Sequence, residues 1–476
     1  MRWVVVFALC FVSVVSTAQE SRLHAELRRE GERVSEACNS FGLKLFTSCA
    51  YTLFTDHPLH IAAGSMPPQN GFGTGGAFVW DKNTARPSNQ TNWRMSWNFD
   101  AAGATSGAWR AGAYMKAVRI PATKIHTITP TTGESSGSAK SKSSTLAVHP
   151  YTAFHLYVQT ISLDKLNFFG EGNDSTLAGA SVFGMRETIV GGRVIKPVFE
   201  WPAIRKLNLS LLGELNGRFV SISPEHGQSV PSIEQVYTNT TAPGLISQPG
   251  FLQAGEGIRI KPGTRYFHLN YLGKFEQYHA VSSSQDSFLR WTVDLDHTLD
   301  LHSVTRSASA ENGSTGPDEC SADNTCPPVP TSINLNGSIG VRLLVSESIT
   351  SATSAVPFYF QPTLGGQDVD SNLSLGSYRD YRFRAPNILL LQERFEHSIW
   401  GPFGVQLVAD QGRVAVTRGD LGFSHLRHSF AGGLTLRAGG FPMVSMMFAW
   451  GGREGHHNIF NMNTSLLGGA ARPSLD

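Results

Sequence analysis

Several patterns in the sequence have the spacing of reactive or ligand-holding groups, and each fails on its surroundings. Gly133-Glu134-Ser135-Ser136-Gly137 has the form of a nucleophile elbow, which presents a serine on a tight strand-to-helix turn. It sits instead in a Ser/Thr/Gly/Lys-rich run from Thr127 to Ser144, with no strand before it and no helix after it. Gly71-Phe72-Gly73-Thr74-Gly75-Gly76 matches G-x-G-x-x-G, but a phosphate cradle needs a following helix. Ala77 to Trp80 reads as strand, so these glycines are expected to allow close approach or bending in a sheet. His456-His457 and the pair His425 and His428 flank strand candidates and are expected in turns, not around a metal. Asp294 and Asp296 share a strand face, where alternating carboxylates serve hydration. No catalytic residues, metal or cofactor are expected, and the chain is not expected to be an enzyme.

The remaining chemistry is ionic and lies between Gln361 and Val414. A Gly-rich turn at Leu364-Gly365-Gly366 leads to Tyr378-Arg379-Asp380-Tyr381-Arg382-Phe383-Arg384. Guanidinium groups among aromatics need carboxylates or water, so this segment is expected to avoid a dry core. On the next strand candidate Gln392, Arg394 and Glu396 point the same way, because strand side chains alternate. Asp410-Gln411-Gly412-Arg413-Val414 closes the stretch. Arg379 or Arg382 paired with Asp410 or Glu396 would give bidentate contacts that pin the segment.

The elements that would position these residues are strands. Charged residues are only 16% of the chain and glycine numbers 48 of 476, against usual shares of ~25% and ~7% in soluble domains. No run of eighteen apolar residues follows the N-terminus, which argues against membrane helices but leaves strands open. Trp93, Met95, Trp97 and Phe99 alternate with Arg94, Ser96, Asn98 and Asp100. Phe267, Leu269, Tyr271 and Phe275 alternate with His268, Asn270, Lys274 and Glu276. Leu289, Trp291, Val293 and Leu295 alternate with Arg290, Thr292, Asp294 and Asp296, and the same pattern recurs at Ile339, Val341, Leu343 and Val345. One greasy and one charged face is what a lipid-facing wall around a wet lumen requires. A soluble sandwich with one solvated face is the alternative.

Met1 to Ala18 reads as a secretory signal that carries away Cys10. Cys38 with Cys49 and Cys320 with Cys326 are close pairs suited to local disulfides in an oxidising compartment. Ser21 to Asn39 is helical in type, with Leu23, Leu27 and Val34 on one face. Three polar inserts, Thr127 to Ser144, Ser223 to Gly250 and Ser307 to Pro330, are expected as long, solvated extracellular loops. A formal charge of +2 implies no nucleic-acid partner. The expected organisation is a signal peptide at 1–18, a short periplasmic or plug segment at 19–58, an antiparallel transmembrane β-barrel of about sixteen strands at 59–466, and a tail at 467–476.

The order of features from Pro357 to Asn463 resembles the C-terminal barrel of the outer-membrane assembly factor family, the BamA and TamA or bacterial surface antigen barrels. The resemblance rests on Leu375-Gly376-Ser377-Tyr378 followed by Arg379-Asp380-Tyr381-Arg382-Phe383-Arg384, on Arg394-Phe395-Glu396, and on Asp410-Gln411-Gly412-Arg413-Val414. Gly376 and Ser377 stand where the family has an arginine and a glycine, and Arg394 to Glu396 reverses the family's order. The resemblance implies an extracellular loop folded into the lumen, carrying Tyr378, Arg379, Asp380, Arg382 and Arg384. It implies a docking wall of Arg394, Glu396, Asp410 and Gly412, with five strands after the loop. Gln19 to Pro58 is too short for the periplasmic repeats (POTRA domains) that precede the barrel in relatives. The expected function is an outer-membrane barrel assisting insertion or translocation of other proteins, with outer-membrane lipid, client proteins or a separate periplasmic partner as its contacts. The alternative is a passive pore or structural barrel whose loop sets the channel size, or whose arginines line the lumen or meet lipopolysaccharide phosphate.

Overall fold

In the computed structural model the described residues are 59–84, 92–120, 152–201, 207–262, 267–301, 304–307, 330–333, 337–400, 403–438 and 441–462. The expected signal peptide, N-terminal helix, all four paired cysteines (Cys38, Cys49, Cys320, Cys326), most of two inserts, the Gly133–Gly137 motif and the C-terminal tail lie outside them. The chain divides into units 1–61 and 62–476, and in the first only the opening three residues of a strand are described.

The strands, in chain order, are β1 (Leu59–Ser65), β2 (Phe72–Asn83), β3 (Asn92–Ala104), β4 (Trp109–Ile120), β5 (Thr152–Phe168), β6 (Ser181–Trp201), β7 (Leu207–Pro224), β8 (Phe251–Pro262), β9 (Phe267–Ala280), β10 (Phe288–Asp300), β11 (Val304–Ser307), β12 (Pro330–Ile333), β13 (Gly337–Ile349), β14 (Thr363–Leu364), β15 (Phe383–Arg384), β16 (Asn387–Trp400), β17 (Phe403–Ala415), β18 (Arg427–Ala438), β19 (Phe441–Gly452) and β20 (Gly455–Met462). Sixteen form one sheet in sequence order, with β11–β12 and β14–β15 as separate two-stranded pairs. The sheet begins at β1 and ends at β20, and among the described residues no ladder joins the two. The five strands β16 to β20 follow the arginine segment, as the resemblance implied.

Polar and apolar faces are placed inside out. Leu156 on β5, Leu211, Leu215 and Phe219 on β7, Ile258 on β8, Leu434 on β18 and Met446 on β19 are exposed. Asp100, Gln159, Glu187, Glu214, Asn216, Gln253, Glu276 and Asp410 are buried. A soluble sandwich puts its apolar face inside, so this sheet is of the membrane-spanning class. Trp80, Trp400 and Phe403 are exposed near one end of their strands and Trp109, Phe430 and Trp450 near the other, matching two interfacial aromatic girdles.

Strand parity corrects two expectations about the inserts. Connections after odd-numbered wall strands and after even-numbered ones leave opposite ends of an antiparallel meander. Ser223–Gly250 follows the seventh wall strand, whereas 121–151 and 302–336 follow the fourth and tenth. The three cannot all face the same side. β4 and β10 finish at the end where β1 begins and β20 finishes, and β11 pairs with β12 between β10 and β13 in the chain. Ser223–Gly250 is also not merely solvated. It holds a short helix, Ile233–Val236, whose N-cap Ser232 donates its backbone N–H to Gln235 Oε1 at 3.3 Å. Ile233 and Ala242 are buried in an aromatic cluster with Phe168, Phe183, Phe251, Phe288 and Tyr278 from the walls. Polar composition concealed these apolar anchors.

Candidate functional site

The centre of that cluster is supplied by the connection between β13 and β16. Phe358 sits edge-on to Phe168 and Phe183 at 5.2 and 5.1 Å, and Phe360 meets Phe251 at 4.9 Å. The segment therefore crosses the sheet's inner face and plugs one end with an aromatic lock. Beyond Phe360 it doubles back as the β14–β15 hairpin, pairing Thr363 with Arg384 and Leu364 with Phe383. The turn needs its glycines: Gly365 and Gly366 have φ of 104° and 60°. A Cβ on Gly365 would lie 2.5 Å from Arg382 Cβ, and one on Gly366 2.2 Å from Asp380 Oδ1. Ser371, Leu375 and Tyr381 also adopt positive φ, an unusual density of left-handed non-glycine residues that packing must hold in place.

Asp410 on β17 is the principal holder of the segment, by a different bond from the one expected. Its Oδ2 accepts the backbone N–H of Leu375 at 2.7 Å, and its Oδ1 accepts Gln392 Nε2 at 2.8 Å. Gln392 Nε2 also donates to Leu373 O at 2.9 Å. On β18, Ser429 Oγ accepts the Ser377 N–H at 2.8 Å. The expected pairing of Arg379 or Arg382 with Asp410 or Glu396 does not occur. A main-chain N–H, at Leu375 with its positive φ, takes the place of the guanidinium. Gly412 sits under Leu364, whose Cδ1 would lie 2.8 Å from a Cβ there. Arg394 donates to Asp296 Oδ2 on β10 at 2.6 Å. Glu396 lies further along β16 opposite Ser338 and Gln406, so neither charge is brought to the segment.

The arginines divide by burial. Arg382 and Arg384 are each 4% exposed, whereas Arg379 is exposed and carries no ion pair among the described residues. Arg382 stacks between Phe169 and Phe383 at 5.0 and 4.6 Å. Its Nε donates to Glu454 Oε1 at 2.5 Å, and its two terminal nitrogens donate to Ser175 Oγ and O, each at 2.7 Å. One guanidinium thus joins the segment, the β5–β6 connection and the β19–β20 turn, using the planar fork that a lysine lacks. Arg384 donates to Phe358 O at 2.7 Å, and its backbone oxygen accepts the Gly172 N–H at 2.8 Å. Burial lowers the Arg384 pKa to about 10, with Tyr381 and Glu171 opposing the shift, so it stays charged at neutral pH. Tyr378 packs edge-on to Phe383 at 5.0 Å. Asp380 Oδ1 accepts the Gln367 N–H at 3.0 Å.

Glu454, Ser175, Gln392 and Ser429 were not singled out from the sequence as partners of the segment. Glu454 carried one signal, a carboxylate between glycines in a tight turn. A second missed network lines the wall beside the segment. Arg218 reaches Glu187 at 2.8 Å, Gln253 bridges Glu214 and Glu276 at 2.7 and 2.9 Å, and Arg342 grips Asp294 with two bonds of 2.9 and 2.7 Å. A cavity of about 310 Å³ separates these groups from the segment's tip at Asp368. Asp368 folds that tip, accepting the N–H groups of Asp370 and Asn372, each at 2.8 Å. Burial, helped by the Asp370 charge, pushes its carboxyl up to about 7.

No protein-family model matches the sequence, and neither does any curated protein. Among solved structures the chain is similar to CdiB from Acinetobacter baumannii at 10% identity and a TM-score of 0.45, over 85% of this chain and 59% of that one. It is similar to CdiB from Escherichia coli at 10% identity and 0.46, over 85% and 62%. BamA from Haemophilus ducreyi lacking POTRA domains 1-3 aligns at 9% identity and 0.42, over 85% and 68%. The chain spans about three-fifths of the length of the CdiB chains. In its own right it shows a sixteen-stranded, inside-out antiparallel sheet of the membrane-spanning class, with an inward segment held chiefly by Asp410 and Arg382.

Proposed function

We propose that this chain is a bacterial outer-membrane barrel of the protein assembly and translocation kind, in which the inward segment closes the interior and joins it mechanically to the sheet's last hairpin. The observation that carries this reading is the Arg382 junction. A segment that only narrowed a pore would need anchors on the wall it crosses. This one also grips Glu454 in the turn beside β20, the strand that ends the sheet and, among the described residues, makes no ladder to β1. Movement of the segment and loosening of that edge are therefore coupled. The end carrying 225–250 and 350–386 faces outward in this reading. The end where β1 begins faces the periplasm, the side from which a client or a separate partner would approach. The reading assigns no covalent chemistry to the chain.

The test is reconstitution of the mature chain in liposomes, with the rate of membrane insertion of an unfolded outer-membrane protein as readout. Faster insertion than in empty liposomes, lost when Arg382 is changed, supports the proposal. Ion conductance without any effect on insertion supports a passive pore instead.

A further inference from the structure

A second cavity lies apart from the wall network, between the inward segment and the terminal strand. It is about 230 Å³ in volume, and its walls include Gln69 from the β1–β2 turn, Asn167 from the end of β5, Arg379 and Asp380 from the segment, and His457 and Asn458 from β20. Of these, Gln69, Asn167, Arg379 and His457 carry side chains that can donate hydrogen bonds, whereas Asn458 alternates with His457 and pairs with Phe448 on the outer face. Arg379 is exposed, and among the described residues no carboxylate pairs with it. His457 Nε2 is buried without a hydrogen-bond partner among the described residues. An imidazole nitrogen withdrawn from water without a partner is costly, and here it borders a space of ligand size.

We propose that this cavity is an anion site that takes a phosphate monoester, with Arg379 as the charged clamp, His457 Nε2 as a second donor, and the amides of Gln69 and Asn167 around the remaining oxygens. A planar guanidinium suits phosphate because it offers two parallel N–H bonds. Asp380 is the one carboxylate on the wall. One of its oxygens already accepts the Gln367 N–H at 3.0 Å, and burial raises its pKa, which disfavours the charged form that would repel an anion. The site sits at the end of the sheet that bears the inward segment, beside the edge strand, where both the headgroup of a membrane lipid and a free phosphate can reach it. Occupation would bridge the segment to β20 at a place separate from the Arg382 junction.

The experiment uses the full mature chain in a phosphate-free detergent, titrated with inorganic phosphate and, in parallel, with dihexanoyl phosphatidic acid, and followed by calorimetry. Arg379→Gln and His457→Phe are compared with the wild type, and heat-modifiable gel migration checks that each variant is folded. The expected result is saturable binding that weakens at least about tenfold in Arg379→Gln, as loss of a charge-assisted contact implies, and also weakens in His457→Phe. Binding of the lipid alone identifies the headgroup as the source, and binding of inorganic phosphate alone identifies a soluble ligand. Binding of neither, or equal binding by wild type and a folded Arg379→Gln, overturns the proposal.

Discussion

Replacing Asp410 with alanine removes both acceptors that hold the strained turn at Leu375. The carboxylate is 2% exposed and receives Leu375 N and Gln392 Nε2 at 2.7 and 2.8 Å. Gln392 keeps a partner, because the same nitrogen also reaches Leu373 O at 2.9 Å. The Leu375 N–H keeps none. The loss is therefore dominated by one charge-assisted bond and one buried, unsatisfied donor, together about 2–4 kcal/mol of docking free energy. At 1.4 kcal/mol per tenfold, that multiplies the undocked population by roughly 30 to 1000. Asp410→Asn retains one acceptor and should lose about half as much. A cysteine at Ser377, a position with 0% exposure, reports the change through its rate of maleimide labelling in liposomes. Ser377→Cys alone should label slowly, Ser377→Cys with Asp410→Ala at least tenfold faster, and single-channel conductance should rise in Asp410→Ala. Equal labelling with unchanged conductance would refute the assignment of Asp410 as the principal anchor.

Further outcomes follow from the same geometry. Arg382→Lys keeps the charge but cannot span Glu454 and Ser175 together, so it should label the Ser377→Cys probe nearly as fast as Arg382→Ala; slow labelling would show that charge alone suffices. Phe358→Ala empties the centre of the aromatic lock and should cost about 3–5 kcal/mol, read as a lower heat-modification temperature. Gly412→Val places a methyl-bearing carbon against Leu364 and should free the segment without touching any charge, visible as faster labelling. For Asp368, a folded-state pKa near 7 lies above the unfolded value. Its contribution is therefore fullest below pH 4 and is lost as pH rises through 7. The rate of tip labelling divided by the rate of the same thiol in Asp368→Asn, which cancels the thiol's own ionisation, should rise from pH 5.5 to 8.5.

Much of the architecture was legible because strand faces repeat every two residues. Trp93 to Asp100 and Leu289 to Asp300 each expose an alternating pattern that nearest-neighbour pairing preserves. Asp410 and Gly412 were singled out on other grounds, because the run Asp410 to Val414 resembles the docking strand of the assembly factor barrels. What Asp410 acts on was not legible. Leu375 offers a main-chain N–H, which every residue but proline has, and only its left-handed φ turns it toward Asp410. Arg382 finds Glu454 and Ser175 far along the chain in opposite directions, and no local pattern encodes such a meeting. The insert at Ser223–Gly250 misled because Ile233 and Ala242 are isolated among polar residues, so composition described its surface and not its anchors.

The account depends most on the outer face meeting hydrocarbon and the inner face meeting water. Spin labels placed one at a time along β7, at Leu211, Leu215 and Phe219 and at Ser210, Glu214 and Asn216, test it in liposomes. Power-saturation measurements should find the first three accessible to oxygen and shielded from a water-soluble nickel chelate, and the second three not enriched in oxygen. Nickel access at Leu211, Leu215 and Phe219, or no alternation between the two sets, would contradict it.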